Sequence, residues 1–600
     1  MAYTDNNDGI KVYHTLNPLD EKDRGKLFDT LEYNYRTTRT YRDKHTELIK
    51  TYAGTLYQEE NRRTDLVPLL LQTAEAYIIA LAANLPQINV STHDKKLRPF
   101  ANNYKIAMNN LLKEIRADET FQEVLLDSFF GPAFVKIYMA DAPRVQMEDD
   151  TWMNPGQPYF ERVGLHRFVW DMQSPKWSQR GFSADRYRVP MHQLQDDIYD
   201  RKVTAKLQPT TKYEGQEDDA PEDIINRQRG GDSDEYTEMI DLTDVWMPNS
   251  GKNGLVVTWP CDRKFRCYGK PLAVLDWDGN EDGPHKMFNN GPVPDNTLST
   301  SPAANLKPLH DLANSVMRKL ASQARRQKDL NIYAPAGIED AKRLQTGNDG
   351  DWIKAMDPSM INVLKQGGVD PGNAQFFGII NDVYGSAAGN LQAKLGLGAQ
   401  ADTARQEQMI HQKVNTQEAG MKIRWMKFVT DVVTDLGSLL WKDVVKEMPG
   451  EFTLPGTDIT IDASWSPAHR QGSFMDYNFT VEVYSMAYQD PRAKAAALQQ
   501  ELQMMMPMMQ LWQGQGIQLD LKAYLDIKSE LLDLPRLKEI FKYDQPVPQE
   551  SEGASGGGTP RTLPPDTNRT YTRQNVARDK SMEERAGDLG NLVSSEGGAQ

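Results

Sequence analysis

Cysteine is almost absent. Cys261 and Cys267, six positions apart, are the only two in 600 residues, so neither a disulfide framework nor a four-ligand zinc site is expected, and both thiols are expected to be free, as a reducing cytoplasm keeps them. The nine histidines are scattered without HxxxH or HExxH spacing, and each is expected to be an ordinary core or surface residue. GxxxxGK[ST] occurs nowhere, which removes the phosphate-cradling loop that a motor ATPase needs. No Ser/His/Asp or Cys/His constellation stands out, although such partners can be far apart in sequence; no enzyme activity and no cofactor are expected. Long apolar runs are also missing. The best candidate, Leu66 to Leu85, is interrupted by Pro68, Gln72, Glu75 and Asn84 and reads as a buried amphipathic helix, because a spanning segment needs about 20 mostly apolar residues. No membrane partner is expected. Met1 to Lys11 is polar, so no signal peptide is expected. Positive charge is in deficit, with 69 Lys and Arg against 84 Asp and Glu and a formal net charge of −15. A protein that grips nucleic acid by neutralising phosphates is usually basic, which argues against tight DNA binding.

What is present is an α+β chain. With 39% apolar and 26% charged residues it has material for several subdomains with real cores. Residues 1–20 read as a loose arm. Leu27 to Tyr57 reads as a helix rich in Tyr33, Tyr35, Arg36, Arg39, Tyr41 and Arg42, an interleaving that suits subunit contacts or stacking on nucleic acid. Helices follow at Leu66–Asn84 and Arg98–Ile115 around a strand at Pro86–Val90. Phe121–Phe130 is helical, Gly131-Pro132 stops it, and Ala133–Met139 is a strand. Further strand patterns fall at Tyr159–Val163, Arg167–Asp171 and Asp185–Val189, and Pro190 is placed to begin another helix. Tyr213–Glu238 is strongly acidic and reads as an exposed, partly disordered insertion. Leu242–Met247 and Leu255–Trp259 form a hairpin pattern around Asn249–Gly254. Asp276–Asp282 has the look of a calcium loop, but Glu281 stands where its tight-turn glycine belongs and Met287 where its bidentate glutamate belongs, so a turn is expected.

The stretch from Ser301 to about Met448 organises the rest. Ser301-Pro302 opens a helix whose apolar stripe is Leu306, Leu309, Ala313, Val316, Leu320 and Ala324. Its other face carries Arg318, Lys319, Arg325 and Arg326, either a solvated face with cations near the helix C-terminus or a contact for phosphate or a partner. From Lys328 to Gly368 short apolar pieces divided by Pro335, Gly347, Gly350 and Pro358 read as a small mixed α/β insert. Asp370-Pro371 supplies an N-cap and a first-turn proline for a second helix with Phe376, Phe377, Ile380, Val383 and Tyr384 as its buried stripe. A Gly-rich loop, Gly385 to Gln400, follows, in which Lys394 is the only charge. No strand pattern precedes it, so a flexible loop that allows close backbone approach is expected. The next helix, about Asp402–Met448, has its strongest stripe at Trp425, Met426, Val429, Val432, Val433, Leu436, Leu440 and Val444. Strands at Asp458–Ala463 and Phe479–Ala487 are expected to return to the sheet of the first half. Asp490-Pro491 then opens helices at about Arg492–Met509 and Leu519–Leu532, with a third at Arg536–Phe541, and Met504–Met509 among them reads as core or subunit contact. From Pro546 the composition turns to Pro, Gly, Ser and Thr, and a mostly disordered tail is expected.

Helix, small α/β insert, helix, glycine loop and overlong helix, in that order, resemble the stem, clip, stem, tunnel loop and long helix of tailed-bacteriophage portal proteins. A similar pattern extends from about Leu66 to Asp490. Portals often carry Asp-Pro soon after a wing strand, where this chain has Asp171-Met-Gln-Ser-Pro175. The resemblance implies an N-terminal arm and helix (1–60), a wing (61–300), a stem helix (301–327), a clip (328–370), a second stem helix (371–387), a tunnel loop (388–401), a long helix with returning wing strands (402–490), a crown (491–545) and a tail (546–600). It implies a homo-oligomeric, dodecameric ring at one capsid vertex of the virion, assembled in the host cytoplasm. Through that ring double-stranded DNA would pass non-specifically, and an acidic wall suits a sliding polyanion. The implied partners are the terminase large subunit, tail adaptor proteins, and major capsid and scaffolding proteins. Asn390, Gln392, Lys394 and Gln400 would face the DNA, with Arg318, Lys319, Arg325 and Arg326 in the channel or against neighbours. The alternatives are another virion structural protein of internal-head or scaffolding type, or a packaging enzyme.

Overall fold

The long helix is the mould of the fold. In the computed structural model it runs Ala404–Lys442, 39 residues, or about 58 Å at 1.5 Å per residue. Over its second half Met421, Trp425, Met426, Phe428, Val429, Val432, Val433, Leu436, Leu439 and Leu440 are all buried, a stripe wide enough to need cover on two sides. Helices Arg98–Glu114 and Ala117–Phe130 supply one cover through Tyr104, Met108, Leu111, Phe121 and Val124. The other is a three-stranded antiparallel sheet in the order His285–Phe288, Ala133–Ala140, Gln157–Val163. Trp425 anchors the centre, its Nε1 donating to the Leu81 carbonyl at 3.1 Å. The described residues are 20–54, 65–140, 145–146, 152–153, 156–195, 199, 201–209, 238–248, 250, 254–333, 342, 361–366, 368–389, 404–448, 450–453, 460–462, 464–482, 485–486, 498–504 and 528. The chain divides into two units, Met1–Asp520 and Leu521–Gln600, and the elements described here belong to the first.

A strand pair also joins the two halves of the chain. Tyr477–Val481 runs antiparallel to Ile88–Thr92, with Val90 opposite Phe479, so the expected return of a late strand to the first half is found there. The earlier late strand does not join it. Thr460–Asp462 pairs with Glu451–Thr453, a local hairpin, because antiparallel neighbours in sequence need only a short connection. The long helix also stops at Lys442, six residues before the expected end, and Val444 is 77% exposed rather than part of the stripe.

A five-stranded antiparallel sheet lies in the order Ala273–Asp276, Leu255–Pro260, Met239–Met247, Ser183–Pro190, Phe168–Trp170. Its central hairpin has Met247 opposite Leu255, the pairing read from the sequence. Pro190 begins no α-helix; a 3-10 turn, Met191–Gln195, follows it. The expected 27–57 helix is two helices, Glu21–Thr37 and Arg39–Ala53, parted at Thr38. The first lays Phe28, Leu31 and Tyr35 on Trp259 and Phe265 of the five-stranded sheet region. Part of the Tyr/Arg cluster is used internally: Arg42 sits 3.4 Å over the Tyr35 ring, and the Tyr41 hydroxyl donates to the Ser299 carbonyl at 2.7 Å, whereas Arg36 and Arg39 are exposed. Tyr33 remains 54% exposed. After strand residue Asp276 the stretch to Asp282 turns, with Trp277 Nε1 donating to the Asn280 carbonyl at 2.8 Å.

Candidate functional site

The site the sequence singles out is built on two helices joined by the insert. Pro302–Arg326 begins at Ser301, whose hydroxyl accepts from Ala304 N at 3.1 Å and donates to the Phe129 carbonyl at 3.0 Å, so the cap also fastens the helix to the body. The chain then enters strand Lys328–Tyr333, which pairs in register with Ile361–Gln366, and returns through helix Pro371–Ala387, capped by Asp370 Oδ1 on Gly372 N at 3.0 Å. The residues between the two strands, apart from Lys342, lie outside the described residues. Two polar ties close the base of this hairpin: Lys319 Nζ donates to Asn373 Oδ1 at 3.3 Å, and Gln323 Oε1 accepts from Asp370 N at 3.2 Å. On the opposite face Asn314 clamps the segment leading into helix Leu69–Ala82. Its Oδ1 accepts from Leu66 N (2.8 Å) and Val67 N (2.9 Å), and its Nδ2 donates to the Val67 carbonyl (3.1 Å).

The four cations of the first helix do not act as one surface. Arg318 is half-buried and its guanidinium donates to Asp65 Oδ1 at 3.3 Å, and Lys319 reaches the second helix. Both hold the pair together and to the body. Arg325 and Arg326 are exposed in the last turn, where the helix hands over to the strand. The glycine-loop residues Asn390, Gln392, Lys394 and Gln400 lie outside the described residues, as do the 213–237 part of the acidic stretch and the tail from 546. Of the expected helix from Arg492, residues 498–504 are described and helical.

The expected stripe of the second helix is corrected. Ile380 and Tyr384 are buried and Phe377 is half-buried, whereas Phe376 is 45% exposed and Val383 49%. With Ile379 at 58% these make a second apolar stripe, at spacings of three and four, that faces away from the body. The helix is apolar on two sides, and among the described residues only one of them is covered.

Sequence reasoning missed a buried polar network between the two sheets. Lys136 Nζ, in the middle of an apolar strand, donates to Asp185 Oδ2 (2.8 Å) and Asp244 Oδ2 (2.7 Å). His285 Nε2 meets Asp185 Oδ1 at 2.9 Å, and the Ser183 hydroxyl meets His285 Nδ1 at 2.9 Å. Burial pulls the Lys136 ammonium down, but the two carboxylates outweigh it and raise it overall. Burial alone would raise Asp185, yet Lys136 and then His285 hold its carboxyl below the usual range. Burial lowers His285, which stays neutral and bridges as donor and acceptor. Ser183, His285 and Asp185 thus share the contacts of a catalytic triad. Ser183 and His285 are 0% and 1% exposed, respectively, so a substrate carbonyl has no approach to the hydroxyl; the arrangement can tie the sheets together. Its signal in the sequence was a lysine or aspartate on the inward face of an otherwise apolar strand, where an unpaired charge would be costly.

No family model matches the chain, and no curated protein matches it. Among solved structures it is similar to a chain in the neck of an empty GTA particle computed with C6 symmetry, 12% identical, covering 66% of this chain and 80% of that one at a TM-score of 0.28.

Proposed function

We propose that this chain is a structural, non-enzymatic virion component, the portal protein of a tailed-bacteriophage capsid, working as a dodecameric ring at one vertex. The observation that supports this reading most is the second stem helix, whose outer stripe, Phe376, Ile379 and Val383, is left exposed among the described residues. Large apolar side chains gathered on one helix face are the surface of an interface. A head-to-tail contact whose rotation closes gives a ring. In that ring the paired helices form the stem, and the strand pair Lys328–Tyr333 and Ile361–Gln366 forms the root of the clip, which docks the terminase large subunit and the tail adaptors. Lys394, with Asn390, Gln392 and Gln400, touches passing double-stranded DNA, and Arg325 and Arg326 face the channel or a neighbour. The acidity of the chain suits a conduit whose wall holds DNA weakly. The wing faces capsid and scaffolding proteins, and the ring is assembled in the host cytoplasm before it resides in the virion.

Native mass spectrometry with negative-stain imaging at moderate salt tests this. A ring of about twelve copies with an axial hole is expected, and the same preparation is expected to hydrolyse no ATP. A compact small oligomer without a channel would overturn the reading.

A further inference from the structure

A cavity of about 570 Å³ lies between residues 202–209 and the segment 261–270 that follows strand Leu255–Pro260 of the five-stranded sheet. Its walls are apolar: Val203, Leu207, Pro209 and the ring of Tyr268, which is 44% exposed. Around them stand three ammonium groups, Lys202, Lys206 and Lys270. One carboxylate, Asp262, also lines the cavity, but its Oδ1 is turned into its own loop, accepting from Lys264 N and Arg266 N at 2.8 Å each. Arg266 is directed elsewhere, to Glu32 Oε1 at 2.9 Å. Cys261 forms part of the floor, and burial raises its thiol well above the usual range, so it is a packed neutral group rather than a nucleophile.

The charge here runs against that of the molecule. In a chain of net charge −15, residues 201–209 carry three cations and no carboxylate, and residues 261–270 carry four cations and Asp262 alone. These two segments, some sixty positions apart, meet at one apolar cavity. We infer that the cavity is a docking site for an acidic peptide segment of a partner protein, with one aliphatic or aromatic side chain in the cavity and its flanking carboxylates on the lysine rim. The volume suits a large side chain with part of its backbone. A phosphate group is a poorer fit, because bound phosphates are commonly held by backbone amides or arginine forks, whereas this rim carries lysines on flexible stems above hydrocarbon. A nucleic-acid strand needs a groove with successive stacking faces, and Tyr268 is the single aromatic ring among the lining residues. The inference does not depend on ring formation.

The test uses the full chain and a fluorescein-labelled peptide with three glutamates on each side of a Leu-Trp pair, followed by fluorescence anisotropy. Binding is expected, weakened about tenfold or more by the double variant Lys206→Glu/Lys270→Glu and also weakened at roughly 0.5 M salt. Both lysines are exposed, so the variant is expected to keep its circular dichroism and melting temperature. An all-glutamate peptide is expected to bind more weakly, because it leaves the cavity empty. The inference is overturned by absence of binding at about 1 mM peptide, by an affinity unchanged in the double variant, by equal affinity for the all-glutamate peptide, or by a single-stranded oligonucleotide displacing the Leu-Trp peptide at equal concentration.

Discussion

His45 and His166 lie with their rings 5.7 Å apart between helix Arg39–Ala53 and the body. Burial, with Arg162 adding to it, lowers His45 to about 4, and burial lowers His166 well below its ordinary value, with His45 and Arg42 adding. Both are neutral when folded, whereas in the unfolded chain they titrate near 6.5. The unfolded state therefore takes up more protons between those limits, and stability rises with pH there. The contribution is intact above about pH 6.5 and is lost as pH falls towards 4, on the order of 3 kcal/mol for His45 alone. Asp127 and Asp435, raised by burial, act in the opposite direction. The melting temperature is expected to fall between pH 7 and 5, and His45→Gln is expected to flatten that slope; a flat profile in the unsubstituted protein would contradict the assignment. None of this was legible in the sequence, where the histidines were merely scattered, because the shifts come from tertiary burial.

Helix elements were the most legible part of the chain. The caps at Ser301 and Asp370, the Gly131-Pro132 stop and the Trp425–Leu440 stripe all lie where local chemistry put them, since a cap or a period of 3.6 is a property of a few neighbouring residues. Gly437 shows what that reading misses. It sits inside the long helix, and a Cβ there would lie 2.9 Å from the Phe479 ring and 3.3 Å from the Tyr104 hydroxyl, which itself donates to the Gly437 carbonyl at 2.6 Å. Alanine normally favours a helix interior by about 1 kcal/mol over glycine. At Gly437 the aromatic cluster must move, so Gly437→Ala is expected to lower the melting temperature. Gly420, with nothing nearer than Arg424 at 3.9 Å, is the control, and Gly420→Ala is expected to raise it slightly. Equal effects would refute the packing argument.

At the scale of the whole molecule the outer stripe of helix Pro371–Ala387 tests whether copies of the chain meet there as proposed. Ile379→Asp places a charge on a side chain 58% exposed in the single chain, so folding is expected to survive. Burying that aspartate between copies would cost several kcal/mol. Native mass spectrometry is expected to show folded monomers in place of the proposed ring; an unchanged ring would move the interface to another face. Part of this was readable beforehand: the two helices, their caps and their order. The side of the second helix that faces the body was misassigned for Phe376 and Val383, because a helix apolar on two faces does not announce which face its own chain will cover.

The sequence by itself determined the helix starts at Ser301 and Asp370, the stop at Gly131-Pro132 and the hairpin at Met239–Pro260, all of which follow from residue type and short-range spacing. Only the tertiary structure decided that Arg318 belongs to Asp65, that Lys136, Asp185, Asp244 and His285 form one network, and that Tyr477–Val481 pairs with Ile88–Thr92. Each of these joins residues tens to hundreds of positions apart, and periodicity carries no information about such meetings. They are settled by which apolar faces pack together and which buried charges must then find partners.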